Sequence, residues 1–423
     1  MSDLVAARSQ MAVSLVFHII FAVIGIAMPV LMVIAERRWQ RTRDPIYLDL
    51  AKRWARGTAI LFAVGAVSGT VLSFELGLLW PQFMRLAGAV IGMPFSLEGF
   101  AFFTEAIFLG IYLYGWERVS PRAHLLAGVI VAVSGAASGI FVVIANAWMN
   151  TPTGVMVTNG AFTHIDPIAA MRTPAALPQT LHMTLAAYAA TGIAVAGIHA
   201  LLVLKGRASA FNRAALMIGL VVGAPAAVLQ PLSGDIAARY LARRQPVKLA
   251  AMEALYQTRA GAPLTIGPPP GIRIPYALSL LAFHDPHAVV QGLDAVSPDE
   301  RPNVGLVHLS FDVMVLLGTY LAVVGLWAGW LALRKRDLAA HRGFLRALAV
   351  ATPLGFVCVE AGWMVTELGR QPWVIYGVLK TQDAVTPMPG LIVPFTAITL
   401  LYCALACVVA VVLYRQIIRS PVA

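Results

Sequence analysis

Charge is what this 423-residue chain lacks: Asp, Glu, Lys and Arg make up 12% of it, against 59% hydrophobic residues. A soluble domain carries about a quarter charged residues, so a water-facing surface cannot be assembled here, and the apolar excess equally excludes intrinsic disorder. Cysteine is scarce as well. Cys358, Cys403 and Cys407 all lie in apolar runs, and their odd number and lack of CxxC spacing exclude a disulfide framework and a zinc site. No small-residue cleavage site follows the first apolar run, which is preceded only by Arg8 as a basic residue; the sequence predicts a retained helix, not a removed signal peptide. Nor are there the alternating segments of about ten residues that a membrane β-barrel requires.

What the chain does have is length of apolar sequence. Runs of about 20 residues, enough to cross ~30 Å of hydrocarbon, occur about nine times, near 12–35, 58–82, 96–116, 124–147, 181–204, 214–232, 311–333, 344–366 and 391–414. Only helices satisfy their own backbone in lipid at that length. The expected fold is therefore all-α, a polytopic membrane bundle of about nine transmembrane helices forming one integral domain over 1–423.

Basic residues sort between alternate connections. Arg37, Arg38, Arg41, Arg43, Lys52, Arg53, Arg56, Arg118, Arg122, Lys205, Arg207, Arg213, Arg334, Lys335, Arg336, Arg342, Arg346, Arg415 and Arg419 share one side, while the other side's short segments hold Arg8, Arg85, Arg172, Arg370 and Lys380. The positive-inside rule then places the N-terminus outside, the C-terminus in the cytoplasm, and the one long connection, 233–310, outside. The net charge of +11 is explained by loops facing anionic lipid headgroups, with no nucleic-acid partner. The spans' polar residues show no recurrence in two halves of the kind that marks many transporters. Within the long connection, the Gly261 to Pro275 stretch is too rich in Gly and Pro for a continuous helix, whereas Lys248 to Glu253 could form a short amphipathic one.

Ionisable residues at membrane depth are functional candidates because burying them is costly. Here they are His18, Glu75, Glu98, Glu105, His182, His199, Asp312, Glu360 and Glu367. Glu98 and Glu105 are seven apart, so on a helix they share a face about 10 Å apart along the axis, a geometry suited to proton relay. Glu360 and Glu367 repeat the spacing. His18, His182, Met314 or a carboxylate could ligate haem iron; imidazole with thioether suits electron transfer, and a single protein ligand leaves a position for dioxygen. Taken singly, a membrane histidine is more often a helix–helix hydrogen bonder than a ligand, and a methionine is usually a core residue. There is no CxxCH, which excludes covalent c-type attachment.

Seven blocks taken together carry a resemblance. They are Arg8-x-Gln-Met-Ala-x-Ser-Leu-x-Phe-His18, Phe74-Glu75-Leu-Gly-Leu-Leu-Trp80-Pro81, Leu97-Glu98-Gly-Phe-Ala-Phe-Phe-Thr-Glu105, Asn146-Ala-Trp-Met-Asn150, His182-Met-Thr, Lys248-Leu-Ala-Ala-Met-Glu253 and Thr366-Glu367-x-Gly-Arg370-Gln371-Pro372-Trp373. In this order the chain resembles subunit I of the cytochrome bd family of quinol oxidases. The resemblance implies three haems: a low-spin haem b held by His182 and Met314, a high-spin haem b, and a haem d or a haem b replacing it, with His18 and Glu367 as protein ligands of the last two. It implies Arg370 and Trp373 against haem edges or propionates, Glu98 bordering the oxygen-reducing site, and Glu105 with Asn146 lining a proton route from the cytoplasm. Lys248 and Glu253 would serve an external quinol loop, where a carboxylate can accept a quinol proton while a cation steadies the quinolate. Implied partners are quinol, dioxygen, membrane lipid, a second membrane subunit (subunit II) and a small single-helix subunit, all in a bacterial cytoplasmic membrane.

Two departures bear on these expectations. Many relatives carry Arg two residues before the methionine ligand, where this sequence has Asp312 in His308-Leu-Ser-Phe-Asp312-Val-Met314. The short loop resembles the branch that includes cyanide-insensitive oxidases, which leaves haem d or haem b open at the third position. A proton-coupled secondary transporter using the buried carboxylates, and a haem subunit without oxygen chemistry, are the competing readings.

Overall fold

In a computed structural model of the protein, residues 1–415 are described, apart from 159, 269 and 270; Arg419 lies outside the described residues. Among the described residues nine helices are long and apolar enough to cross a membrane. They are α1 (Asp3–Thr42), α2 (Pro45–Leu79), α3 (Pro81–Tyr114), α4 (Pro121–Asn150), then, after the one-turn α5 (Pro167–Met171), α6 (Ala176–Leu204) and α7 (Ala210–Arg244). Short helices α8 (Pro246–Met252) and α9 (Ala277–Phe283) lead to α10 (Val304–Leu333) and α11 (Arg342–Leu368), and the four-residue α12 (Thr381–Ala384) precedes α13 (Ile392–Leu413). Helix starts are chemically marked. Asp44 and Ser120 cap α2 and α4 with side-chain oxygens, each followed by a proline at the first helical position, where the missing N–H costs nothing.

Alternate connections put Arg37 to Arg43, Arg118 and Lys205 at one end, here the basic end, and the long connection at the other, the loop end. Helices α6, α7, α10 and α11 bury one apolar core that includes Ile193, Leu216, Leu331 and Phe344. Helices α1 to α4, with α7, bury a second toward the basic end around Leu31, Leu50 and Tyr112. Ile19, Val23, Ala187, Ala190 and Val359 join the two. Helices α6 and α7 touch backbone to backbone: a Cβ on Gly223 would stand 2.5 Å from the Ile193 nitrogen, the close approach small residues permit in membranes. Helix α13 lies against α1 and α2.

The helices outrun the apolar runs at most ends. One correction bears on function, at the long connection: α7 continues twelve residues past position 232, and α10 begins at Val304, so the connection is 245–303 instead of 233–310. Apolar sequence reports where lipid begins, not where the helix ends; Asp235 and Arg239 pair across one turn of the polar extension. The Gly261 to Pro275 stretch is non-helical, with Leu264–Ile266 pairing antiparallel to Ile272–Ile274. Lys248 does fall on a helix, but α8 is not amphipathic, since Val247 to Met252 are all buried.

Candidate functional site

Two histidines are held in the same way. On α1, His18 Nδ1 stands 2.9 Å from Ser68 Oγ of α2, and that hydroxyl also lies 3.0 Å from the Val64 carbonyl oxygen. A carbonyl only accepts, so the hydroxyl hydrogen goes to it, and Ser68 must accept from a protonated Nδ1. On α6, His182 Nδ1 stands 2.9 Å from Ser233 Oγ of α7, whose hydroxyl donates to the Gln230 carbonyl at 2.8 Å. Both rings therefore carry the proton on Nδ1 and keep Nε2 as the acceptor, the tautomer an iron ligand requires; on His182 that Nε2 accepts from the Gln230 side-chain amide at 3.1 Å. Each supporting serine is followed by a glycine. A Cβ on Gly69 would come within 3.0 Å of His18 Cε1, and one on Gly234 within 3.4 Å of His182 Cε1.

Met314 projects from α10 toward α11, where a Cβ on Gly362 would meet its sulfur at 3.1 Å. Glu367, at the loop end of α11, accepts from Asn146 Nδ2 at 2.6 Å through one oxygen and from Arg370 Nη2 at 2.6 Å through the other. Arg370 is 3% exposed, yet its Nε and Nη1 are buried without partners. Two guanidinium nitrogens whose N–H groups lack acceptors are an unfilled demand for an anion. Asn146 Oδ1 in turn accepts from Asn150, whose own Oδ1 accepts from Lys248 Nζ at 2.5 Å. Arg370, Trp373, Gln371, Tyr376 and Glu300 line a cavity of about 160 Å³ beside this chain of polar groups, and Lys380 stands over the Trp373 ring.

Toward the basic end, α3 presents Glu98, Glu105 and Tyr112 in one line, facing Ser138, Gly135 and Gly128 of α4. Ser138 donates to Glu98 at 3.2 Å, and Cβ atoms on Gly135 and Gly128 would meet Glu105 Oε1 at 3.1 Å and Tyr112 Cε2 at 2.7 Å. The line ends on a buried pair, His124 Nδ1 and Glu36 Oε1, 2.9 Å apart. His124 Nε2 donates to the Tyr112 carbonyl, and Gln40 donates to the same Glu36 oxygen.

This set of residues coincides with a family. A family model described as cytochrome bd terminal oxidase subunit I matches residues 6–421. The chain belongs to that family. It is 37% identical to the putative cytochrome bd menaquinol oxidase subunit I of Bacillus subtilis (strain 168), covering 100% of this chain and 98% of that one. It is 31% identical to cytochrome bd ubiquinol oxidase subunit 1 of the same organism, over 92% and 87% of the two chains. Among solved structures, the bd oxidase from Geobacillus thermodenitrificans superposes with a TM-score of 0.92 at 40% identity, covering 99% of each chain. Membership in the cytochrome bd oxidase family, with nine candidate spans, makes this a multi-pass protein of the bacterial cytoplasmic membrane and sets aside the transporter reading.

Against the expectations for this oxidase subunit, the structure joins some residues and parts others. Glu98 and Glu105 share a face as the spacing predicts. Asn146 does not stand with them; it bonds Glu367 at the opposite end. Lys248 and Glu253 point apart. Lys248 turns to Asn150, whereas Glu253 Oε2 accepts from the Thr265 N–H at 3.3 Å. Burial pushes the Glu253 carboxyl up to about 7 and the Lys248 amine down to about 7. His199 bonds Asn212 across α6 and α7, a packing role. Glu75 is held by Gln10 and Ser14 at 2.9 and 2.8 Å. Sequence reasoning missed Ser68, Ser233, the Glu36–His124 pair and His308. The serines had a legible signal: a Ser-Gly step follows each histidine at a separation of 50 or 51 residues. The α1–α2 and α6–α7 pairs thus do share a recurrence, carried by hydroxyl and glycine positions instead of by charges.

Proposed function

We propose that His182 and Met314 hold a low-spin haem b, that His18 and Glu367 hold the irons of a high-spin haem b and of a haem d or the haem b replacing it, and that the 245–303 connection takes quinol. The activity is that of a quinol:oxygen oxidoreductase. Bound haem supplies electron transfer and the reduction of dioxygen to water. The protein's part is positional. The Nδ1–H bonds to Ser68 and Ser233 aim both Nε2 atoms, and Arg370 meets a haem propionate with the N–H groups that otherwise lack partners. Glu253 takes a quinol proton at Oε1, its other oxygen being engaged by Thr265. Lys248, beside Asn150 and Glu367, belongs to the haem-edge cluster and does not form one acid–base pair with Glu253. Glu105 and Glu98 pass protons inward from the basic end, taken as the cytoplasmic side on the positive-inside rule. Subunit I works with a second membrane subunit, and a small single-helix subunit would complete the assembly.

The observation that carries this reading is the pair of histidines, on separate helix pairs, that a serine fixes with the proton on Nδ1 and Nε2 as the acceptor. Reduced-minus-oxidised spectra of the purified complex test it. His182→Ala and Met314→Ala each remove the same low-spin haem signal, and His18→Ala and Glu367→Ala each remove one of the other two. Spectra left intact by all four substitutions would overturn the assignment.

A further inference from the structure

His308 has no role in that mechanism, yet it is 2% exposed and sits one turn into α10, where the long connection meets the helix. Its Nδ1 lies 2.6 Å from the Met252 carbonyl oxygen and its Nε2 lies 3.0 Å from the Gly267 carbonyl oxygen. Carbonyl oxygens offer no hydrogen, so both ring nitrogens must carry one. The ring is then an imidazolium, a buried cation that needs counter-charge. Two carboxylates provide it: Asp312 Oδ2 at 3.5 Å from Nε2, and Glu253, the residue after Met252, whose carboxyl interacts electrostatically with both. The same contacts tie α8, through Met252, and the Leu264–Ile266 strand, through Gly267, to α10. Asp312 completes the tie by accepting the Gly267 N–H at 2.9 Å.

We propose that His308 is a fixed imidazolium that clamps the quinol loop to α10 and, by its charge, keeps Glu253 ionised and ready to take the quinol proton. His308 is a positioning residue; the proton passes from the quinol hydroxyl to Glu253, and the ring keeps both of its own. The charged groups facing Glu253 are His308 and Asp312, both from α10; the hairpin side contributes the Thr265 N–H, and Lys248 on the preceding helix turns away. Without the ring's cation, burial and Asp312 remain, and both favour the protonated acid. The ionisation of Glu253 would then require a higher pH.

The inference rests on Glu253 being the quinol base, and the experiment separates the two. The complete oxidase, purified with its partner subunit, is assayed for quinol kcat/KM from pH 5.5 to 9, beside a one-electron donor that releases no proton on oxidation. Glu253→Gln abolishes the acid limb if Glu253 is the base; a limb left in place refutes that reading. Given its loss, His308→Gln moves the wild-type limb up by on the order of one pH unit, His308→Lys returns it, and the one-electron donor shows no such limb in any variant. A limb that stays put in His308→Gln, or moves equally in both His308 variants, overturns the proposal. Should His308→Gln fail to assemble, nitrogen-15 NMR of histidine-labelled wild type decides: both His308 ring nitrogens carry hydrogen at pH 7.5, and a neutral ring overturns the proposal.

Discussion

Glu253 offers the sharpest quantitative test, because its cost to the fold depends on pH in a sense that can be worked out. The residue is 2% exposed, and burial raises its carboxyl from 4.5 to about 7. Between those values the folded protein binds a proton that the unfolded chain has released. Stability therefore falls as pH rises through this window, and the loss is complete above about 7. Each unit is equivalent to ~1.4 kcal/mol, so the ionised carboxylate costs up to about 3 kcal/mol at pH 8 relative to pH 4.5. Glu253→Gln, which stays neutral, removes the dependence. The assay is the thermal midpoint of the purified complex, followed by loss of the haem absorbance, at pH 5 and pH 8. Wild type and variant should lie close together at pH 5, with the variant more stable at pH 8. A gap of equal size at both pH values would refute the reasoning, whatever Glu253 does in turnover.

Three further outcomes follow from the geometry. Glu36→Ala leaves His124 and Gln40 without their shared acceptor in a buried site, costing about 3–5 kcal/mol in chemical denaturation; Glu36→Gln, which keeps an acceptor for Gln40, costs markedly less, and equal losses would count against the pairing. Ser68→Ala and Ser233→Ala each free one imidazole tautomer and lower retention of the haem that it serves by about 10–100-fold, read as haem content per protein after dilution; full retention would show that the serines do not aim the rings. Asp312→Arg exchanges an anion near Met314 for a cation and raises the midpoint potential of the low-spin haem; an unchanged redox titration would remove Asp312 from the account.

Relations within one helix are legible in the sequence alone. Apolar length located the spans, because lipid forces each backbone into a helix of about that length, and a spacing of seven put Glu98 and Glu105 on one face, because the helical repeat fixes the angle between them. The same arithmetic misplaced the end of α7, since a helix continues into water for as long as its polar residues find partners there. It also grouped Lys248 with Glu253, five residues on, although the turn at the end of α8 sends the two side chains to different neighbours.

What lies between helices was decided only by the tertiary structure. Nothing local to His18 names Ser68 as its support, Asn146 could stand beside Glu105 or Glu367, and His308 looks like any residue at a span end until two carbonyls from the loop are found against its ring. Apolar patterning constrains a membrane helix to cross the bilayer, but it leaves the rotation of each helix about its axis and its depth against its neighbours nearly free. Those two quantities choose which polar groups meet. The sequence determined the bundle and its candidate ligands, and packing of small residues such as Gly192 and Gly223 set the registers that turn those candidates into hydrogen-bonded sites.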